Sequence, residues 1–293
     1  MTFPRFWVPR RLRKYSNRYS LVDGIPFDLP VGSHNSPVIM AAFSIDAGKA
    51  KALLPGNELH PIRVFKRGIL LFTIIDYRET VIGKYIEYSV GIACTYGRKP
   101  APPLLPLIFM KAYKMGQYVF DLPVSTDVSV KGGKGIWGMP KHKAPLNFII
   151  GEDTVSSKYD KDGQFALKVE IKKPKRANLP VVMSAANYCQ FRGMLMKSYI
   201  YFSGRMGMNF MRKNAGSLTI GSHPRVQPLK TLDIDPNPFF SAFFPTTSGV
   251  LDDHFECWFL TYPEQPTVPP EGMESVVNLG LSEEWPPEPT ATE

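Results

Sequence analysis

Proline stands at 28 of the 293 positions and is distributed along the whole chain, which limits its folding more than any other feature. Each proline removes a backbone donor and clashes with the preceding helical turn, so helix interiors reject it while turns and strand edges accept it. An all-helical fold is thereby excluded, and the segments between prolines are expected to be mostly strands. "VIMAAFSI" at 38–45 is apolar enough for a buried strand. "GILLFTIIDYRE" and "KYIEYSVGIACTY", joined by a short link at 81–83, predict two neighbouring strands. Asp162-Gly163 lies before alternating apolar residues at Phe165, Leu167, Val169 and Ile171, which is a hairpin signal. "HFECWFLTY", from His254, predicts a last strand. A short helix is expected in "DAGKAKALLPG", with Asp46 as N-cap and Pro55-Gly56 as the stop. "STDVSVKGGKG" at 125–135 predicts a strand feeding a glycine-rich turn, and "LIFMKAYKMGQYVF" at 107–120 suits either a helix or a membrane-facing loop. The methionine- and aromatic-rich stretch 192–212 suits core packing or an adaptable pocket wall. With no internal repeat and no linker, 19–262 is expected to be one mainly β (α+β) domain, a closed or nearly closed barrel with a few short helices.

Charge is segregated within a net +9. Residues 1–18 carry six arginines or lysines and no acid, and 263–293 carry seven glutamates and no base, so a basic arm and an acidic, proline-rich tail are expected to flank the domain. The arm either wraps the domain or makes a peripheral membrane contact. No nucleic-acid-binding signature accompanies the charge, so no nucleic-acid partner is expected. Cys94, Cys189 and Cys257 are widely spaced with no C-x-x-C pair, which fits buried, reduced thiols in a cytoplasmic protein. Residues 1–20 have no apolar core of a secretory leader, and the apolar run at 102–113 is broken by Pro106 and Lys111. His34, His60, His142, His223 and His254 are scattered singly, so neither a metal nor another cofactor is expected.

"GKGIWGMPKHK", at 133–143, contains a literal G-x-G-x-x-G. In a dinucleotide-binding unit a helix opens at the last glycine and offers its N–H groups to phosphate. Pro140 and Pro145 obstruct a helix there, so attention shifts to Lys141. A free lysine, with a pKa near 10.4, is protonated at neutral pH and is no nucleophile. An apolar pocket and a neighbouring cation both favour the neutral amine. Trp137 and Met139 offer the first, His142 and Lys143 the second. An amine so activated condenses with a ketone to a Schiff base; the alternative is a pair of ordinary surface lysines on a turn.

"WGMPKH" resembles the catalytic-lysine segment of the acetoacetate decarboxylase family, in which P-K-K follows a glycine-containing stretch. "HNSPVIMAAFSIDAGKAKALLPGNEL" is similar to that family's H-N-R-led strand and short helix, and "GKYIEYSVGIA" to its Y-x-E strand. The resemblance covers about 33–150 and implies a closed β-barrel, a homo-oligomer and a carbonyl substrate. It places the Schiff-base lysine on Lys141 and the Y-x-E acid on Glu87. The sequence departs from the family pattern at three positions. His142 replaces the second lysine, Ser36 replaces the arginine of H-N-R, and a second pocket glutamate falls near Thr73. The implied function is a lysine Schiff-base enzyme acting on an oxo acid or ketone, by decarboxylation or by aldol or dehydration chemistry. Without the arginine, the substrate is expected to be bulkier and less anionic than acetoacetate. The alternative is a non-catalytic barrel that binds a hydrophobic ligand.

Overall fold

The apolar runs between prolines form long strands. The computed structural model describes residues 8, 9, 12, 18–191 and 193–264. Seven strands close a barrel: β1 (Val38–Asp46), β2 (Arg67–Tyr77), β3 (Tyr85–Tyr96), β4 (Gly116–Val124), β5 (Leu179–Phe191), β6 (Met194–Phe210) and β7 (Phe240–Phe244). Round the barrel the order is β4, β3, β2, β1, β7, β6, β5 and back to β4. Neighbours are antiparallel except at the closing seam, where β5 runs parallel to β4 through Asn187↔Gln117 and Tyr188↔Tyr118. Gly116 makes the seam passable: a Cβ there would lie 2.6 Å from the Ala186 carbonyl oxygen and 2.8 Å from the Tyr188 ring.

Buried residues of β1, β2 and β3 form a chain of edge-to-face rings. Phe43 meets Phe72 at 5.6 Å, Phe72 meets Tyr88 at 6.2 Å, and Tyr88 meets Tyr159 at 5.4 Å. Tyr159 belongs to the expected hairpin, Thr154–Lys161 with Gln164–Lys172, which turns at Asp162 (φ 50°) and Gly163 (φ 76°). Ile149–Ile150 and Gly216–Ile220 complete a four-stranded sheet. Its buried Val155, Leu167, Val169 and Ile171 join the same core as Phe43 and Phe72. Thr247–Phe259 is the expected last strand, paired with β6.

The helices are short: α1 (Ala47–Lys51), α2 (Leu105–Ile108), α3 (Asp127–Trp137) and α4 (Gln227–Lys230). In α1, Asp46 caps as expected, its carboxylate accepting from the Lys49 N–H at 2.8 Å. Helix α3 overturns the strand expected at 125–135. Thr126 caps it, Asp127 sits in its first turn, and Gly138 ends it in the left-handed region at φ 61°. Its buried positions, Ser129, Gly132, Gly133 and Trp137, follow the helical i, i+3, i+4, i+8 spacing. Three of those four are serine or glycine, so no apolar periodicity marks the helix. Residues 107–120 divide into the end of α2, an exposed loop and the start of β4.

Val8 and Leu12, described residues of the basic arm, are buried in a cluster with Val250. Apart from Pro9, the rest of the arm up to Asn17, and the tail beyond Glu264, lie outside the described residues. Cys94 and Cys189 are buried, whereas Cys257 is exposed, because it lies on an open face of the last strand. No helix among the described residues is long and apolar enough to cross a membrane.

Gly116→Val tests the seam. The new side chain meets backbone and an aromatic ring, and overpacking of this kind costs about 1 to 3 kcal/mol. A lower urea midpoint with an unchanged slope is expected; a midpoint equal to the parent's would refute the close approach.

Candidate active site

Helix α3 and the turn after it deliver the lysine. The Met139 N–H reaches back to the Gly133 carbonyl at 3.0 Å, and the chain then enters Lys141–Lys143, a short strand parallel to β4. The G-x-G-x-x-G therefore ends a helix instead of opening one, and its glycines serve packing. A Cβ on Gly133 would lie 2.3 Å from Lys141 Cδ and 2.7 Å from Cε. One on Gly135 would lie 2.6 Å from Val22. The lysine stem fits only because the helix has no side chain there.

Lys141 is 4% exposed. Its Nζ lies 2.8 Å from Glu87 Oε2, donates to Ser129 Oγ at 2.9 Å, and stands 5.4 Å from the centre of the Tyr85 ring. Tyr85 and Glu87 are two residues apart on β3 and so share a face. Tyr77, opposite Tyr85 in the β2–β3 register, stacks on it with centroids 4.5 Å apart. The Tyr85 hydroxyl is hydrogen-bonded to Ser129 and Tyr77. Burial, reinforced by the Glu87 charge, pushes both phenols well above the usual range, so both stay protonated at any working pH.

Lys141, Glu87, Tyr77 and Tyr85 line a small, partly open cleft. Val31, Met139, Ile200 and Leu251 form its apolar wall, and Ser33, Thr80 and Asn187 are further polar groups. The Asn187 carbonyl accepts from Gln117 Nε2 at 2.8 Å, which fixes the amide and leaves its NH₂ as a donor. Among the described residues lining the cleft, Lys141 is the one cation and Glu87 the one anion.

Residues 15–198 match the family model for acetoacetate decarboxylase, a span that is more than half of the chain and holds Glu87, Ser129 and Lys141. The chain belongs to the acetoacetate decarboxylase family. Solved structures agree on the fold. The acetoacetate decarboxylase from Legionella pneumophila is 17% identical with a TM-score of 0.55, over 84% of this chain and 89% of that one. The enduracididine biosynthesis enzyme MppR, in complex with pyruvate, is 14% identical with a TM-score of 0.55, over 78% of this chain and 90% of that one. An acetoacetate decarboxylase-like enzyme from Sphingomonas wittichii RW1 is 12% identical with a TM-score of 0.55, over 80% and 95%. No curated protein matches the chain.

Within this family member the remaining expected site residues are dispersed. Strand alternation turns His142 away from Lys141: its Nε2 lies 2.9 Å from Asp121 Oδ1. Lys143 is exposed and pairs with Asp127 at 2.5 Å. The cation expected beside the amine is thus absent from the cleft, and an anion stands there. Ser36 is fully buried and donates to the His34 carbonyl at 3.0 Å, and Thr73 lies mid-strand between Met40 and Ser89; neither lines the cleft. Trp137 is buried behind Met139 and donates from Nε1 to the Asp252 carbonyl at 2.9 Å, so only Met139 of that pair faces the cleft.

Sequence reasoning missed Tyr85, Tyr77, Ser129 and Asn187. The first was present in the Y-x-E spacing itself, which puts tyrosine and glutamate on one strand face; Ser129 carried no signal once its helix was read as a strand. A second buried lysine, Lys197, was also missed. It lies 3.6 Å from Glu256 and over the Tyr188 and Tyr199 rings, with its pKa lowered chiefly by burial.

Gly133→Ala isolates the lysine's positioning. Alanine favours a helix interior by roughly 1 kcal/mol over glycine, so the helix itself gains. Its methyl group nevertheless overlaps the Lys141 stem. Retained thermal stability with at least a tenfold loss of chemical reactivity at Lys141, measured by competitive labelling and peptide mapping, is the expected outcome. Unchanged labelling would mean that the contact is not limiting.

Proposed function

We propose that this family member is a lysine Schiff-base enzyme acting on an oxo acid or ketone, with Lys141 as nucleophile and Glu87 as its proton partner. The observation that carries this is a buried amine 2.8 Å from a half-buried carboxylate, in a cleft whose other described lining residues are apolar or neutral polar. In the proposed reaction, Glu87 takes a proton from the Lys141 ammonium, and the neutral amine adds to the substrate carbonyl carbon. The carbinolamine loses water and becomes an iminium. From a β-oxo acid, the electron pair of the bond to the carboxylate carbon moves toward the iminium as carbon dioxide leaves. The enamine is then protonated at carbon, and water releases the product and restores the lysine. Ser129 and Tyr85 hold the amine on its trajectory, and the protonated phenols are donors for the substrate oxygen.

MppR, one of the similar structures, is described with the condensation product of pyruvate and imidazole 4-carboxaldehyde. This supports aldol or dehydration chemistry as an equal outcome of the same iminium. With apolar walls and no second cation among the described residues that line the cleft, a bulky, weakly anionic carbonyl compound is the favoured substrate.

One observation favours a second reading. Lys141 and Glu87 form an ion pair at 2.8 Å, so without proton transfer within the pair the cleft is a binding site for a hydrophobic ligand and not a catalyst. Borohydride trapping separates the two. The enzyme is reduced in the presence of pyruvate, acetoacetate, longer oxo acids and aliphatic ketones, and adducts are mapped by peptide mass. A reduced adduct on Lys141, absent from Lys141→Ala, retained in Lys197→Ala and formed about a hundredfold more slowly by Glu87→Gln, is expected. Failure of every compound, or an adduct on Lys197 alone, overturns the catalytic proposal. Tight ligand binding indifferent to Lys141→Ala would establish the second reading.

A further inference from the structure

The loop between β3 and β4 presents apolar side chains to solvent. Ile108 is 70% exposed and Phe109 55%, with Leu104, Leu107 and Met110 exposed beside them. The β-turn before β2 adds Phe65, which is 79% exposed. The two segments are joined, because the Leu104 N–H donates to the Arg63 carbonyl at 3.1 Å. Leu104 adopts φ 65°, a left-handed conformation that is strained for a bulky side chain, and strain of this kind concentrates at functional segments. Isolated apolar residues on a surface need no explanation; six on adjoining loops form a patch that does.

Charge identifies what covers it. From Arg98 to Phe120 the sequence has four cations and no acid. Arg63, Lys66, Arg98, Lys99 and Lys111 are all exposed, and none makes an ion pair among the described residues. Apolar side chains that can enter the acyl boundary, ringed by unpaired cations at headgroup level, match an anionic lipid surface. A two-fold contact with a second copy would set this basic ring against itself, which is repulsive.

We propose that this loop pair docks the protein on anionic membranes. The cleft lies at the other end of β3 from such a contact. Glu87 lies near the first residue of β3 and the patch beyond its last, Tyr96, roughly 30 Å away at about 3.3 Å per residue. The inference is therefore independent of the chemistry assigned to Lys141.

The test is co-sedimentation of the full chain with phosphatidylcholine vesicles containing 30% phosphatidylglycerol, against pure phosphatidylcholine. The parent, Ile108→Asp/Phe109→Asp and Lys99→Gln/Lys111→Gln are compared at low and high salt, with thermal melts to verify folding and light scattering to report oligomeric state. Partition to the anionic vesicles, weakened by salt and reduced at least tenfold by either double variant with unchanged melting, is expected. No partition at low salt overturns the proposal. Partition that neither variant alters overturns it as well and moves the contact elsewhere on the chain. Variants that dissociate an oligomer without changing vesicle binding make the patch a subunit contact.

Discussion

A buried lysine and a half-buried glutamate, 2.8 Å apart, impose the main constraint on this fold. Removing two charges from water is costly, and their attraction compensates only when the geometry is tight and the remaining donors are satisfied. Three separate elements supply that geometry. Strand β3 brings Glu87 with the Tyr85 ring, helix α3 brings Ser129 and the gap at Gly133, and the strand after the helix brings Lys141. A shift of any one would leave a charge buried without its partner. The close approach of α3 to the lysine, and the glycines that permit it, follow from this requirement.

The strand that carries Lys141 is only three residues long, and its backbone bonds alone would hold it weakly. His142 supplies the missing anchor. Its imidazole binds Asp121, a fully buried carboxylate on β4 that also accepts from Tyr159 Oη at 2.5 Å and Arg225 at 3.4 Å. Burial, together with the adjacent Asp121 charge, pushes the Tyr159 phenol far above its usual range, so it remains a donor in this network. The residue that the sequence suggested as an electrostatic tuner of the amine is thus a mechanical one. It ties the lysine's strand to the barrel wall and, through Tyr159, to the core of the second sheet.

This division explains what was legible beforehand. Strands β1, β2 and β3, the Asp162-Gly163 hairpin and the Asp46 cap announce themselves through apolar runs and local turn chemistry, which depend on near neighbours. Lys141 and Glu87 were legible through motif spacing. Helix α3 was hidden because its buried face, apart from Trp137, is serine and glycine, and those glycines admit Phe27 and Lys141 and bury no apolar side chain of their own. Ser36 and Thr73 were assigned to the pocket by position in segments that depart from the family pattern, and strand register places them elsewhere. Cys257 was expected to be buried and is exposed, because strand alternation says which residues share a face but not which face is covered.

The charge balance of the cleft also bears on substrate selection under the proposed chemistry. At rest Lys141 and Glu87 sum to zero, and no further cation lines the site among the described residues. A neutral ketone keeps the sum at zero through addition, loss of water and hydrolysis. An oxo acid brings one negative charge that neutral donors, Asn187, Ser33 and the two phenols, must hold beside Glu87. The sum stays at minus one through addition and loss of water; the carboxylate is discharged against the iminium as carbon dioxide departs, and the sum returns to zero when the enamine takes up a proton. The cleft therefore disfavours carboxylates in the ground state and favours the step that removes them. For the same reason, an acid whose carboxylate is retained through the reaction is best accommodated where that group reaches the open mouth, with the carbonyl carbon alone carried down to Lys141.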